Sequence, residues 1–384
     1  MRRVFVAVEV ALSVVLLSGA ALLFETLWHM QNDRLGFRPE HVLTVSIPLR
    51  GTGYEGPARE ALASDVLADL RRMPGNEAAA LTQCSPLTGG SVWIAFSRSD
   101  RPLPEAFHRG DGIGVCGTDE DYLKAAGARL VQGRFFAADD LHHPGTIAVI
   151  NETAARAYFP GESPLGMRIL GARSAEWKTV VGVFADSKNQ GLNHPAISEA
   201  WINDTSPAST ADLLFLVRAL AGEGAIARAL RANHPGLFIK VQTLEDAMGE
   251  MTASPRFNTV LLSTFAAVAF LMAIVGVYGV LAFSVTQRSA EIGIRMALGA
   301  TPGRVLALVM KEGAGTVAAG ALAGVAGALL LTRYLATLLY GVTASDPATY
   351  VVVVMGLAIA ASAASLLPAR RAATLDPAIA LRHE

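Results

Sequence analysis

The apolar positions of this 384-residue chain are gathered into blocks rather than spread along it. Four blocks hold most of them. They run from Val4 to Trp28, from about Thr259 to Val285, from Gly313 to Thr332 with an amphipathic lead-in from Val305, and from Tyr350 to Leu367. Each approaches or exceeds the ~20 residues a helix needs to cross a ~30 Å hydrocarbon layer. The second block carries no charge, and Ser345 or Asp346 can N-cap the fourth, with Pro347 in its first turn. Three such blocks in the C-terminal part of the chain argue against buried helices of a soluble protein. The pattern predicts four transmembrane helices. Gly320 and Gly324 form a G-x-x-x-G pair, a spacing that lets another helix approach closely. Glu9 lies inside the first block, where a carboxylate must snorkel, pair with Arg2 or Arg3, or face a partner helix.

Between the first two blocks the pattern is that of ordinary globular sequence. Residues 41–49 and 77–84 read as strands on either side of an amphipathic helix at 57–73. Residues 213–218, 224–233 and 238–243 repeat the strand, helix, strand order. The two β-α-β units flank a middle segment with strand-like runs at 146–150 and 179–184. That segment also has a helix at 153–158, stopped by Pro160-Gly161. One α+β subdomain can form from both ends, with the middle inserted as a second lobe. The expected fold is therefore a four-helix membrane protein with a large two-lobed α+β extracytoplasmic domain. The expected divisions are a first span at 1–28, the domain at 29–257 and a permease-like part at 258–384. The last contains helices at about 259–285, 305–332 and 350–367 and a cytoplasmic loop at 287–304.

Charge supplies the orientation. Arg2 and Arg3 precede the first span, while Arg288, Arg295, Arg304 and Lys311 lie between the second and third. Arg370, Arg371 and Arg382 follow the fourth, and the loop between the third and fourth carries only Arg333. All three basic sets fall on one side if every block spans, which puts both termini in the cytoplasm and residues 29–257 outside. Arg2-Arg3 before an apolar run, with Ser18-Gly19-Ala20 behind it, also fits a cleavable signal peptide. Apolar sequence continuing to Leu27 favours a retained anchor.

Composition agrees with the blocks: 52% hydrophobic, 17% charged, mean hydropathy +0.39. A net charge of −1 offers no field for nucleic acid. The two cysteines, Cys84 and Cys116, match no zinc spacing. They can pair in an oxidising compartment or simply be small buried residues. Histidines 142 and 143 sit in a Pro-Gly turn and read as solvated loop residues. The acidic clusters Asp119-Glu120-Asp121 and Asp139-Asp140 read as solvated loop or helix N-terminus. The run from Gly182 to Lys188 has Ser187 where a phosphate loop needs glycine. No H-E-x-x-H, G-x-S-x-G or G-x-x-x-x-G-K-[ST] occurs, and no catalytic or metal-binding constellation is expected.

The most specific segment is Gln287-Arg288-Ser289-Ala290-Glu291-Ile292-Gly293-Ile294-Arg295-Met296-Ala297-Leu298-Gly299-Ala300. Glu291 and Arg295 are spaced to pair on a short interfacial helix that Gly299 can end, and Thr301-Pro302 can start the next. The segment resembles the cytoplasmic loop of FtsX-like permeases of the MacB-type branch of ABC systems. Ser254-Pro255-Arg256-Phe257, Asp346-Pro347, Pro368-Ala369-Arg370-Arg371-Ala372-Ala373, Asp376-Pro377 and Ala380-Leu381-Arg382 carry the same resemblance. So do Val149-Ile150-Asn151-Glu152-Thr153-Ala154, Tyr158-Phe159-Pro160-Gly161 and Pro164-Leu165-Gly166 in the outside domain. The chain looks like the second half of a duplicated orphan permease, working as one half or left as a remnant.

The resemblance implies a non-enzymatic permease subunit in a bacterial inner membrane, exporting a substrate by moving its periplasmic domain. It implies a docking element over Arg288 to Gly299, with Arg288, Glu291, Arg295 and Met296 as contacts for a separate ATPase. ATP then binds that partner, and this chain holds no cofactor. A second permease half, as homo- or heterodimer, a lipid bilayer and a periplasmic partner complete the expected assembly. The alternative is a non-transporting protein of the same architecture that activates a periplasmic partner mechanically.

Overall fold

The structure is a computed structural model that describes residues 2–100, 112–171, 177–205, 212–298, 301–335, 339–343 and 345–373. The described residues form two compact units, one of residues 33–252 and one of residues 1–32 with 253–384.

The first unit begins with β1 (Val42–Pro48), α2 (Pro57–Arg72) and β2 (Asn76–Thr82), and ends with β10 (Asp212–Ala219), α5 (Glu223–Asn233) and β11 (Lys240–Thr243). The strands lie in the order β11-β1-β10-β2, with β1 antiparallel to both neighbours and β10 antiparallel to β2. Each β-α-β unit is therefore split, its strands parallel and separated by a strand of the other unit, the ferredoxin-like arrangement. Alternation decides which face is covered. Leu43, Val45 and Ile47 of β1 and Leu213, Phe215 and Val217 of β10 point to one side. There they meet Leu62, Val66 and Leu70 of α2 and Ile226 and Leu230 of α5.

The inserted lobe holds β3 (Val92–Arg98), β4 (Gly112–Gly117), α3 (Tyr122–Ala126), β5 (Leu130–Gly133), β6 (Ile147–Asn151), α4 (Glu152–Tyr158), β7 (Arg168–Gly171), β8 (Lys178–Phe184) and β9 (Glu199–Ile202). Its seven strands run β5-β8-β6-β9-β4-β3-β7, and β7 also pairs with β8, closing six of them into a ring. Asn151 caps α4 by accepting from the Ala154 amide at 2.9 Å. Phe184 stacks on Trp201 with ring centroids 3.6 Å apart, and Tyr122 meets Trp201 edge-on.

The second unit comprises α1 (Arg2–Asn32), α6 (Leu244–Gln287) from Ala253 onward, α7 (Ser289–Ala297), α8 (Pro302–Leu335) and α9 (Pro347–Ala373). Four of these are long and apolar enough to cross a membrane. Val10, Val14, Val277, Leu281, Val309 and Leu357 form the core between them. Large side chains such as Phe5, Leu12, Leu271, Leu330 and Ile359 stay exposed around that core, the surface a bilayer would cover. The helices outrun the apolar blocks that predicted them. Thr243 receives the Asp246 amide at 2.9 Å, so α6 starts 15 positions before Thr259 and carries Pro255 within it. Of the two proposed caps for α9, the structure uses Asp346, whose carboxylate accepts from the Thr349 amide at 2.9 Å and hydroxyl at 2.8 Å. Glu9 faces another helix, its carboxylate resting against Gly276 of α6 where a Cβ would collide.

Candidate functional site

The link between α6 and α8 is a short amphipathic helix. Arg288 stands between α6 and α7, and its carbonyl accepts the Ile292 amide at 2.9 Å. Ile292 is 5% exposed and packs into the core of the spans beside Val305 and Val309 of α8. The side chain of Met296 turns partly inward against the same core. The outward face carries Glu291 and Arg295, paired at 2.6 Å and each about half exposed. Two apolar residues stand on it as well, Ile294 at 48% and Leu298 at 83% exposure. Thr301 starts α8 by accepting the Arg304 amide at 2.9 Å. Of the four proposed contacts, Arg288, Glu291 and Arg295 are exposed, while Met296 is half-buried. Ile294 and Leu298 are the additional outward residues; their i, i+4 spacing was the signal for them. The proposed helix end, Gly299, lies outside the described residues, as do Asp376-Pro377 and Ala380-Leu381-Arg382.

In the other unit the segment by which the chain leaves the ferredoxin-like lobe after β2 and the segment that follows β4 run side by side. The Gln83 amide donates to the Gly117 carbonyl at 2.8 Å, and the Asp119 amide to the Leu81 carbonyl at 3.1 Å. The sulfurs of Cys84 and Cys116 meet across this seam. Asp119 is not a solvated loop residue: it is 3% exposed and its carboxylate accepts the Leu81 amide at 2.8 Å. Arg71 of α2 reaches Asp119 at 3.3 Å, Glu120 at 3.2 Å and Asp121 at 2.8 Å. Burial nevertheless pushes the Asp119 carboxyl up to about 7, against the pull of the Leu81 amide and the Arg71 charge. The acidic triplet thus braces one lobe on the other.

Within α8, an added Cβ at Gly320 would meet the Ala7 carbonyl at 2.6 Å, and one at Gly324 the Ala11 carbonyl at 2.8 Å. The pair admits the backbone of α1. Lys188, at the end of the glycine-containing run, is committed to Asp33 at 3.2 Å and to the His194 carbonyl at 3.1 Å. His142 closes a short 3-10 turn, and the His143 carbonyl accepts from Thr146 and Asn203. Among the described residues no three His, Cys, Asp or Glu side chains gather as a metal site.

Comparison with known proteins meets this architecture at both ends. The family described as "MacB-like periplasmic core domain" matches residues 8–243, and "FtsX-like permease C-terminal" matches residues 263–377. The macrolide export ATP-binding/permease protein MacB of Azoarcus sp. strain BH72 is 29% identical over 283 residues, covering 70% of this chain and 42% of that protein. The protein of that name from Vibrio parahaemolyticus is 26% identical over 359 residues, covering 88% of this chain and 51% of that protein. The chain thus spans about half the length, or less, of these relatives. Among solved structures, the periplasmic region of MacB from Actinobacillus actinomycetemcomitans aligns with 58% of the chain and 96% of its own. Its TM-score is 0.40 at 15% identity. With a two-lobed α+β domain, four membrane helices and matches to both parts, the chain belongs to the family of ABC transporter permeases that carry a MacB-like periplasmic core domain and an FtsX-like permease domain.

Proposed function

We propose that this chain is a permease subunit that couples a separate ATPase to movements of its extracytoplasmic domain, for export or efflux across a bacterial inner membrane. The docking element is α7, with Arg288, Glu291, Arg295 and Met296 at the contact and Ile294 and Leu298 as its apolar anchors. Both termini and α7 face the cytoplasm. A second permease half completes the assembly. The name of these relatives, macrolide export proteins, makes a macrolide-type compound the first substrate class to test.

One observation carries the reading. A helix of nine residues is pinned to the spans by Ile292, yet turns Ile294 outward beside an ion pair, with exposed Leu298 just past its end. An apolar pair rimmed by charges is the composition of an interface core. Because Ile292 sits among residues of α6 and α8, a push on α7 passes directly into two spans. The test is a detergent pull-down of the full chain beside Arg295→Glu and Ile294→Asp, with ATPase activity measured in the eluate. Wild type is expected to recover an active ATPase. Each variant should lose at least about tenfold of it, the cost of truncating one interface anchor. Recovery of equal activity by all three would sink the docking role of α7.

A further inference from the structure

A cleft of about 940 Å³ opens on the first unit between the segment that follows α1 and the loop joining α3 to β5. Four cations line it: Arg34, Arg38, Lys124 and Arg129. All four side chains are exposed, and among the described residues none has an acidic partner. The two acids at the rim are already engaged. The Asp186 carboxylate accepts from the Thr153 amide at 2.7 Å, from its hydroxyl at 2.8 Å and from Arg156 at 2.6 Å. The Glu152 carboxylate accepts the Asp186 amide at 3.3 Å.

The walls are held in place. Arg218 donates to the carbonyls of Arg38 and Glu40, both at 2.9 Å, and of Lys124 at 3.3 Å. It thereby ties together the two segments that carry Arg38 and Lys124. Gly36, at φ +79°, lies so close to the Asp186 carbonyl that a Cβ there would overlap it. The Arg129 carbonyl accepts the Ala185 amide at 2.9 Å. Four unpaired cations on a braced backbone form a receptor for a dense anion. Guanidinium groups match phosphate oxygens in geometry as well as charge.

Chain connectivity indicates where that phosphate comes from. Arg34 follows Asn32, the last residue of α1, by two positions, a reach of at most about 7 Å. The 31 residues of α1 extend about 46 Å, more than the ~30 Å hydrocarbon core, so its end reaches the headgroup layer. Lys and Arg are depleted on the non-cytoplasmic flanks of spans, yet Arg34 and Arg38 both follow this one closely. We propose that the cleft binds the phosphate of an anionic phospholipid headgroup from the membrane leaflet at the Asn32 end of α1. A lipid held there would tie the start of the domain to the bilayer surface. The proposal does not depend on α7 docking an ATPase.

The test uses the full chain, purified in a nonionic detergent and stripped of lipid. It is titrated with short-chain phosphatidylglycerol and phosphatidylcholine, each below its micellar range. Wild type should prefer phosphatidylglycerol by about tenfold or more, as expected for several headgroup-contacting cations. Lys124→Glu/Arg129→Glu should abolish the preference, while Arg228→Glu on α5 should keep it. Lys124→Gln/Arg129→Gln, which removes charge without reversing it, carries the comparison if the reversed pair does not fold. Equal binding of both lipids by wild type, or a preference retained in the folded charge variants, overturns the proposal. Inorganic phosphate displacing the lipid at comparable concentration would overturn the lipid source and assign the cleft to the free anion.

Discussion

Glu199 is a carboxyl placed inside the inserted lobe, 3% exposed, with Asn189 donating to it and its own amide donating to Asn151. Burial raises it to about 7; the Asn189 hydrogen bond opposes the rise, and the neighbouring charge of Asp186 adds to it. An acid whose native pKa lies above its unfolded value, about 4, holds its proton more tightly when folded. Its cost to folding is absent below pH 4, grows through the interval, and is complete above about 7. The domain should therefore lose stability as pH rises from about 4 to 7, with Asp119 at the seam acting in the same direction. Glu199→Gln keeps the shape and removes the titration. Melting temperatures of wild type and Glu199→Gln at pH 5 and pH 8 check this. The wild-type value should fall more between the two pH values than that of the variant. Equal falls would mean that Glu199 is charged throughout. Nothing in the sequence marked Glu199, and Asp119 read as solvated with its acidic neighbours, because a buried acid and a surface acid look alike until the fold encloses one of them.

At the scale of elements, what could be read was what local pattern controls. The strand β1 alternates cleanly, β10 carries an unbroken apolar run from Leu213 to Val217, and α2 and α5 repeat with helical spacing, so the ferredoxin-like lobe was visible in outline. By contrast β4 is Gly-Ile-Gly-Val-Cys-Gly, with three glycines in six residues. It is a strand only because β3 and β9 bond both of its edges, a tertiary effect that overrides weak propensity. The spans were legible from length and hydropathy, but their ends were not. Capping by Thr243 extends α6 beyond its apolar block, whose start at about Thr259 left Pro255 outside the predicted span. The glycine pair of α8 was legible only as a spacing; its partner, the backbone of α1, was not. That contact supports a direct prediction. Gly320→Leu should drive α1 from α8 and cost about 1–3 kcal/mol, as overpacking does. Gly315→Leu, where a Cβ meets nothing within 4 Å, should cost little. Detergent-based thermal unfolding of the two variants measures the difference. Similar losses in both would show that the close approach is not a constraint.

At the scale of the whole molecule, the two domain matches say which parts are present. The seam between the lobes says how force could cross the outer one. The inserted lobe is tied to the ferredoxin-like lobe by two antiparallel passages, residues 81–84 and 116–119, by the Arg71 cluster, and by the sulfurs of Cys84 and Cys116. Without the cross-link, the hydrogen bonds and ion pairs must hold the lobes alone, and Arg71 is partly exposed, so screening weakens its share. A cross-link over a sequence separation of 32 removes enough loop entropy from the unfolded chain to stabilise the fold by about 2–4 kcal/mol. Cys84→Ser/Cys116→Ser should therefore unfold at lower denaturant, and adding reductant to wild type should reproduce most of the shift. ATPase recovery through α7 should stay unchanged in the variant, because α7 is anchored on the spans and no part of it belongs to the seam. A joint loss of stability and ATPase recovery would mean that the domain's integrity is needed for assembly as well as for output. Unchanged stability would leave the hydrogen-bonded passages and the Arg71 cluster as sufficient ties, with the sulfur pair dispensable.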